Sequence, residues 1–596
     1  MPQQPSALAP SPSRPTPPIP PAHHRQPRYR RWRGTGREVG IHYAVFLLTA
    51  VLVLAPVVPI LYQSLRDRPL YEGGGAFVLD NYVRLFTEAG FGHTVVNTLL
   101  FAVLTTLFAL GIAVPMAVLL TRTRFPGARL FAQIVRWPIY LSPLVLAFGW
   151  IVLYGPAGFV SAALRNALGI VPWDLYSLPG MAFVEAVAQA PIAYLFCANA
   201  LASSDASLEH AARVCGAKPA RVLRSTVLPM LRPPVLYASL LIFGTAVETL
   251  SIPLILGEPN DIEMFSSFLY SHGMEALRPD YGLLGAASTL ILAATVCLSL
   301  LQIRLLKHAQ RYVSVRGKAT RRGSLDIGAW RWLGFGFVTL YLGFGVLLPM
   351  AALVLRAFSR FLSPLISPFS TLTLDNFRLI FAYEPYAQSI TNSLLVALTG
   401  AAAVTLFGAL VVLTARRSRF RLGRWLEVLA LSPQAIPGLI IGIGLFWAIA
   451  LAPSPISATQ GTLVAVVIAF GIRALPSSFG SISPAVLQLG QELDNAARVA
   501  GADWWRTVTR VHLRLIAPAL VASFLLIWVQ MIREYAPAMF LAGSDSQVIG
   551  TTAVELWTQG ETGSVAALST IQIAVTVVAA SLVNLFIKEK KGVPHA

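Results

Sequence analysis

Residues 208–217 read LEHAARVCGA, and residues 493–502 read LDNAARVAGA. Seven of the ten positions are identical and the second is acidic in both, at a separation of 285 residues. A polar decapeptide spelled twice in a mostly apolar chain points to a duplicated unit, so the flanking sequence must repeat as well. It does. VLDNYVRLF at 78–86 pairs with TLDNFRLIF at 373–381, and VVNTLL at 95–100 with ITNSLL at 390–395, both at an offset of 295 that lays Asn97 on Asn392. LSP at 141–143 pairs with LSP at 431–433, and ETLSIPLILG at 248–257 with EYAPAMFLAG at 534–543.

The 596 residues are 55% hydrophobic and 12% charged, about half the charge of a soluble domain. Mean hydropathy is +0.65. A net charge of +19 would suggest nucleic acid in a soluble protein. Here the basic residues lie between apolar runs too long for a soluble core, so they are expected to face lipid headgroups and the cytoplasm, with no nucleic-acid partner. Cys197, Cys215 and Cys297 have no spacing that suggests a disulfide framework or zinc site.

Apolar segments near the 20 residues needed to cross about 30 Å of hydrocarbon recur twelve times. They cover roughly 41–63, 95–120, 130–154, 180–202, 234–256, 282–305, 332–355, 390–414, 425–451, 461–477, 517–541 and 564–587. The first is too long for a cleaved signal and is read as a retained span. The chain then divides into a Pro/Arg-rich disordered tail (1–40), a six-span half (41–305), a basic linker (306–331), a second six-span half (332–587) and a short tail (588–596). With the N-terminus cytoplasmic, the five inside loops hold 24 Lys and Arg and the six outside loops hold 8. That asymmetry places both termini on the cytoplasmic side of the membrane. Both decapeptides fall in inside loops, 205–232 and 478–515, each after the fourth span of its half.

These loops resemble the EAA loop of permease subunits of binding-protein-dependent ABC importers. The resemblance rests on Glu209, Ala211, Ala212 and Gly216, followed by Leu228 and Pro229, and on Asp494, Ala496, Ala497 and Gly501 in the second copy. The fused two-half layout over residues 41–590 is similar to the ferric-iron and thiamine importer permeases. The resemblance implies an all-α membrane protein of about twelve helices, built as two type I importer halves. It further implies that these residues, with Arg213 and Arg498, couple to two cytoplasmic ATPase subunits that bind ATP and Mg, and that an extracytoplasmic solute-binding protein delivers the solute. Asp494 and Arg514 depart from the pattern, Arg514 standing where the first copy has Pro229.

On chemistry alone, small residues suit a short helix that seats closely on another surface, and Glu209 is one turn before Arg213, in reach of an i, i+4 pair. Such a helix either docks on a partner or lies on the bilayer with Arg213, Lys218, Arg221 and Arg224 toward lipid phosphates. The duplication favours docking.

No P-loop occurs, and RGKA at 316–319 lacks its upstream glycine and hydroxyl residue, so the chain is not expected to be an enzyme or to hold a cofactor. The nine histidines form no cluster that would relay a metal ion. Ionisable and amide groups inside spans are costly and read as functional by default. They are Glu185 and Gln189 on one face of the fourth span, Glu248 in the fifth, Arg473 in the tenth, and Gln530, Arg533 and Glu534 in the eleventh. They either line a path between the halves or are buried pairs, such as Arg473 or Arg533 with Glu534, that fix packing. Ala188 matches Arg473 in the other half, so a cavity here is chemically lopsided. Pro143, Pro433, Pro253 and Pro537 are expected to kink the third and fifth spans.

The function that the resemblance implies is a permease working by alternating access, with ferric iron as first choice of solute and thiamine, polyamines, phosphonates and sugar phosphates as alternatives. The competing class is a twelve-span ion-coupled transporter, which also uses parallel six-span halves.

Overall fold

The computed structural model describes residues 36–203, 207–309, 325–362, 366, 368–418 and 420–589. Residues 1–35 of the expected tail, 310–324 of the linker and 590–596 lie outside them, while residues 36–40 open the first helix. Among the described residues ten helices are long and apolar enough to cross a membrane, or up to twelve if each of two bent helix pairs is one span. Among the described residues the β-structure consists of isolated bridges only. The protein is an all-α membrane protein. The second span of each half is the longest helix of that half, Phe91–Arg122 at 32 residues and Glu384–Arg417 at 34. At 1.5 Å per residue each is about 50 Å long, so its basic end projects beyond about 30 Å of hydrocarbon.

Five expected spans are shorter or broken, each with a proline at or near the break; the first is Gly36–Leu54 and Val57–Gln63, with Pro56 between them. The third span is Ala128–Ile134, a turn at Trp137–Tyr140 and then Pro143–Tyr154. The ninth is Gly423–Ala435 and Gly438–Ala450, bent by 111°. Ser142 and Ile436, each preceding a proline, are extended, because the pyrrolidine ring disfavours the helical region for the residue before it. The fifth and eleventh spans stop at Glu248 and Arg533 rather than at 256 and 541. Pro537 lacks the N–H that would bond the carbonyl of Arg533, the last residue of its helix, while Pro253 opens a π-helical turn, Pro253–Gly257, after its helix has stopped at Glu248; neither lies inside the helix to kink it. Pro143 likewise begins a helix and Pro433 a tight turn. The prolines inside helices are elsewhere, and Pro191 and Pro476 form a matched pair in the fourth spans.

Within each half the second span packs on the fourth and fifth. The first spans cross over. Gly36–Leu54 lies on Glu384–Arg417 and Gly423–Leu431, and Val57–Gln63 on Gly438–Ala450. Reciprocally, Trp330–Leu340 lies on Phe91–Arg122, and Leu348–Ala357 on Pro143–Tyr154. Two glycines, one in each half, allow the approach: a Cβ on Gly149 would stand 2.7 Å from the Pro349 carbonyl oxygen, and one on Gly444 would overlap that of Pro56. The repeated asparagines have repeated jobs. Asn81 donates to the Ser64 and Arg66 carbonyls, and Asn376 to those of Ala357 and Ser359. Asn97 donates to the Glu263 carbonyl, and Asn392 to those of Asp545 and Gln547.

Candidate functional site

All seven polar span residues, Glu185, Gln189, Glu248, Arg473, Gln530, Arg533 and Glu534, line one cavity of about 450 Å³. The fourth and fifth spans of both halves contribute to it, so it lies between the halves. Its centre is Arg473. The guanidinium meets Glu248 at 3.1 and 3.3 Å and Glu534 at 2.8 Å. Glu248 is the last residue of its helix and Glu534 the first beyond its own, so each carboxylate sits at the negative end of a helix dipole. One arginine therefore offsets two carboxylates and two helix C-termini. The span residues are both cavity lining and ion pairs, which sequence reasoning set out as alternatives.

Glu185 is fully buried and accepts a 2.9 Å hydrogen bond from Gln189, with Thr249 at 3.5 Å. Arg533 does not pair with Glu534: it donates to the Ile139 carbonyl, and among the described residues no carboxylate meets it. Ser251 and Tyr535 share a 2.9 Å hydrogen bond that ties one half to the other. The lopsidedness expected from Arg473 and Ala188 is present, since both guanidinium groups come from the second half.

The decapeptides form the helices Ser207–Val214 and Gln491–Val499. Their acids turn inward. Glu209, 1% exposed, meets Arg122 at 3.3 Å, and Asp494 meets Arg417 at 3.0 Å and His512 at 2.9 Å. The i, i+4 pair expected for Glu209 and Arg213 is replaced: Arg213 reaches the Glu209 backbone carbonyl at 3.4 Å. Arg122 also donates to the Leu201 carbonyl, and Arg417 to those of Val486 and Leu489. Each arginine ends a second span, so the long helix holds both the end of the fourth span and the loop helix.

Gly216 and Gly501 have φ of +81° and +79°, and a Cβ on either would meet nothing within 4 Å. Conformation, and not close approach within this chain, requires glycine there. The Ala217 N–H bonds the Ala212 carbonyl and the Gly216 N–H that of Arg213, a Schellman cap, and Ala502 and Gly501 repeat it. With the acids turned in, Val214 at 88% and Val499 at 90% exposure are left outermost, beside exposed Ala211, Ala496 and Arg498; Ala212, Ala497 and Arg213 are half-buried. Matching π-helical turns follow at Leu223–Val227 and Val508–His512. The first half then bends by 57° into Arg232–Glu248, whereas the second runs straight as Trp504–Arg533. Pro229 and Pro234 face Arg514 and Ala519 in the register of the repeat, which accounts for the difference.

Sequence reasoning missed Arg122, Arg417, Val214 and Val499. The first two were legible as basic residues closing equivalent spans at the repeat offset of 295.

Two interlocked helical halves around a charged midline cavity define a duplicated membrane permease. The family model "binding-protein-dependent transport system inner membrane component" matches residues 85–314 and 404–591. The chain belongs to this family, as the fused two-half permease of an ABC importer, and the ion-coupled alternative falls away. It is 24% identical over 546 residues to the ferric transport system permease protein FbpB of Actinobacillus pleuropneumoniae, covering 90% of this chain and 76% of that one. It is 22% identical to the Fe(3+)-transport system permease protein FbpB 2 of Haemophilus influenzae, covering 86% and 92%. The sn-glycerol-3-phosphate transport system permease protein UgpA of Brucella abortus is 27% identical over 278 residues, 45% of this chain and 93% of that one.

Proposed function

We propose that the midline cavity is the solute path, that the substrate is ferric iron, and that the two decapeptide helices dock on two cytoplasmic ATPase subunits. The observation that carries the path is the gathering of all seven polar span residues from separate spans into one cavity between the halves. Ferric iron is favoured over a phosphorylated solute because relatives named for ferric transport align along 86% and 90% of the chain, and UgpA along 45%. Both termini and both docking helices are cytoplasmic in this reading, and a solute-binding protein loads the cavity from the other side. ATP and Mg bind the partner ATPase. Closure of the ATPase dimer draws the two helices together, and the long second spans, joined to them through Arg122 and Arg417, carry the movement to the cavity. The test is reconstitution with the ATPase and binding protein in vesicles. ATP-dependent uptake of radioactive ferric iron is expected, with no competition from glycerol 3-phosphate, thiamine or aminoethylphosphonate. Uptake of one of those solutes in place of iron rejects the substrate assignment.

A further inference from the structure

We propose that Glu248 and Glu534 form one cation site shared by the two halves, that Arg473 fills it at rest, and that a positively charged solute takes it over when the halves part. The inference rests on the cavity being the solute path and adds which residues receive the charge of its occupant.

The site is symmetric and its occupant is not. Glu248 and Glu534 are equivalent residues, each fixed to the end of a fifth-span helix and each 16% exposed. The cation between them comes from one half only, since Ala188 stands at the position matching Arg473. Arg473 reaches Glu248 through both terminal nitrogens and Glu534 through Nε, with a longer 3.4 Å bond from one terminal nitrogen to the Ile436 carbonyl, so its ion-pair contacts are spent on these two carboxylates. Alternating access moves one half against the other. Any motion that separates Glu248 from Glu534 takes Arg473 away from at least one of them.

A carboxylate stripped of its cation in a poorly solvated cavity, at the negative end of a helix, is strongly disfavoured. Opening is therefore favoured when a second cation arrives to replace the guanidinium. Glu185 lines the same cavity, held by Gln189 and Thr249, but among the described residues no three acidic, His or Cys side chains group to hold a metal ion, so the oxygen donors of the site are the carboxylates of Glu248 and Glu534. Oxygen donors of this kind suit a hard metal ion or an ammonium group. An anionic solute meets only Arg533 uncompensated.

The test uses the purified chain in nanodiscs of zwitterionic lipid, with Tb3+ as the hard-cation probe, read by luminescence sensitised from Tyr535 in the cavity wall, and spermidine as the ammonium probe. Arg473→Gln is expected to bind Tb3+ or spermidine about tenfold more tightly than the unmodified chain. Adding Glu248→Gln or Glu534→Gln is expected to return binding to the starting level. Competition between the probes identifies an ammonium-tolerant site, and Tb3+ binding without competition a metal-selective one; both support the proposal. Binding unchanged by Arg473→Gln, or indifferent to the two carboxylates, overturns it. Should Arg473→Gln fail to fold, Arg473→Lys keeps the charge on a monodentate group and is expected to bind with intermediate affinity; affinity equal to the unmodified chain overturns the proposal equally. Iron uptake plays no part in the measurement, so a chain found to carry another solute still passes or fails on its own.

Discussion

Arg122 stands 3.3 Å from Glu209, and 295 positions later the equivalent Arg417 stands 3.0 Å from Asp494. The acid of each decapeptide is thus bound to its own half, which leaves Val214 and Val499 among the most exposed side chains of the two loop helices.

Breaking the first of these pairs leaves a buried charge. Arg122→Ala is expected to cost roughly 3 to 5 kcal/mol, because both side chains are almost wholly inaccessible. Arg417→Ala is expected to cost less, since Asp494 is 17% exposed and keeps His512 at 2.9 Å. Thermal denaturation in detergent checks the order. Replacing both partners, as Arg122→Met with Glu209→Leu, should recover most of the loss.

Val214→Asp and Val499→Asp should fold normally, within about 0.5 kcal/mol of the parent, because both side chains are almost fully exposed. The double variant is expected to abolish solute-stimulated ATP hydrolysis in the reconstituted complex. Full stimulation would show that the loop helices are not the docking elements.

For Gly216 and Gly501 the left-handed backbone sets the ranking of substitutions. Ala or Leu should cost about 1 to 2 kcal/mol at either position, and Asn less. A side chain there clashes with nothing in this chain. If Asn restores stability yet ATPase stimulation stays low, contact with the partner also demands a small residue.

At the cavity, Glu248→Gln and Glu534→Gln each leave Arg473 with one carboxylate, whereas Arg473→Leu leaves two carboxylates with none. Yield of folded chain should therefore fall most for Arg473→Leu. The single Gln variants should assemble well and slow uptake of a cationic solute. Normal yield with unaffected uptake would remove these residues from the path.

Gly444→Ala should be more damaging than Gly149→Ala, because its Cβ would overlap a backbone carbonyl oxygen, whereas that of Gly149→Ala would stand 2.7 Å from one. Backbone yields less readily than side chain, so a loss of at least about 1 to 3 kcal/mol is expected for Gly444→Ala. Fluorescence-detected size exclusion after heating measures it.

The duplication, the helical class and the residues of the cavity were legible because each depends on local pattern: apolar run length, repeat register and the cost of a charge inside a span. The pairing of Arg473 with Glu248 was not, since it joins residues 225 positions apart in different halves. Run length also hid the breaks at Ser142 and Ile436, where hydrophobicity continues but the ring of the next residue, a proline, disfavours helix, and at Glu534, where Pro537 removes a backbone donor. The inward turn of Glu209 was hidden by a nearer arginine, Arg213, on the same helix. Only the three-dimensional approach of the second span reveals that Arg122 takes the carboxylate.

The exchanged first spans bear on how the chain is made. When synthesis passes residue 305, six spans of the first half exist, yet Gly149 still lacks the segment it was shaped for, because Pro349 has not been translated. The groove along Pro143–Tyr154 is filled by Leu348–Ala357 of the second half's first span, with Trp150 and Tyr154 donating to the Gly345 and Phe344 carbonyls of the turn before it, and Gly36–Leu54 meanwhile waits for Glu384–Arg417. Neither half is a finished folding unit. Insertion into the bilayer can proceed helix by helix, but closure of the structure is deferred until the second half arrives, which makes the ribosome's progress through the later spans the step on which the earlier ones depend.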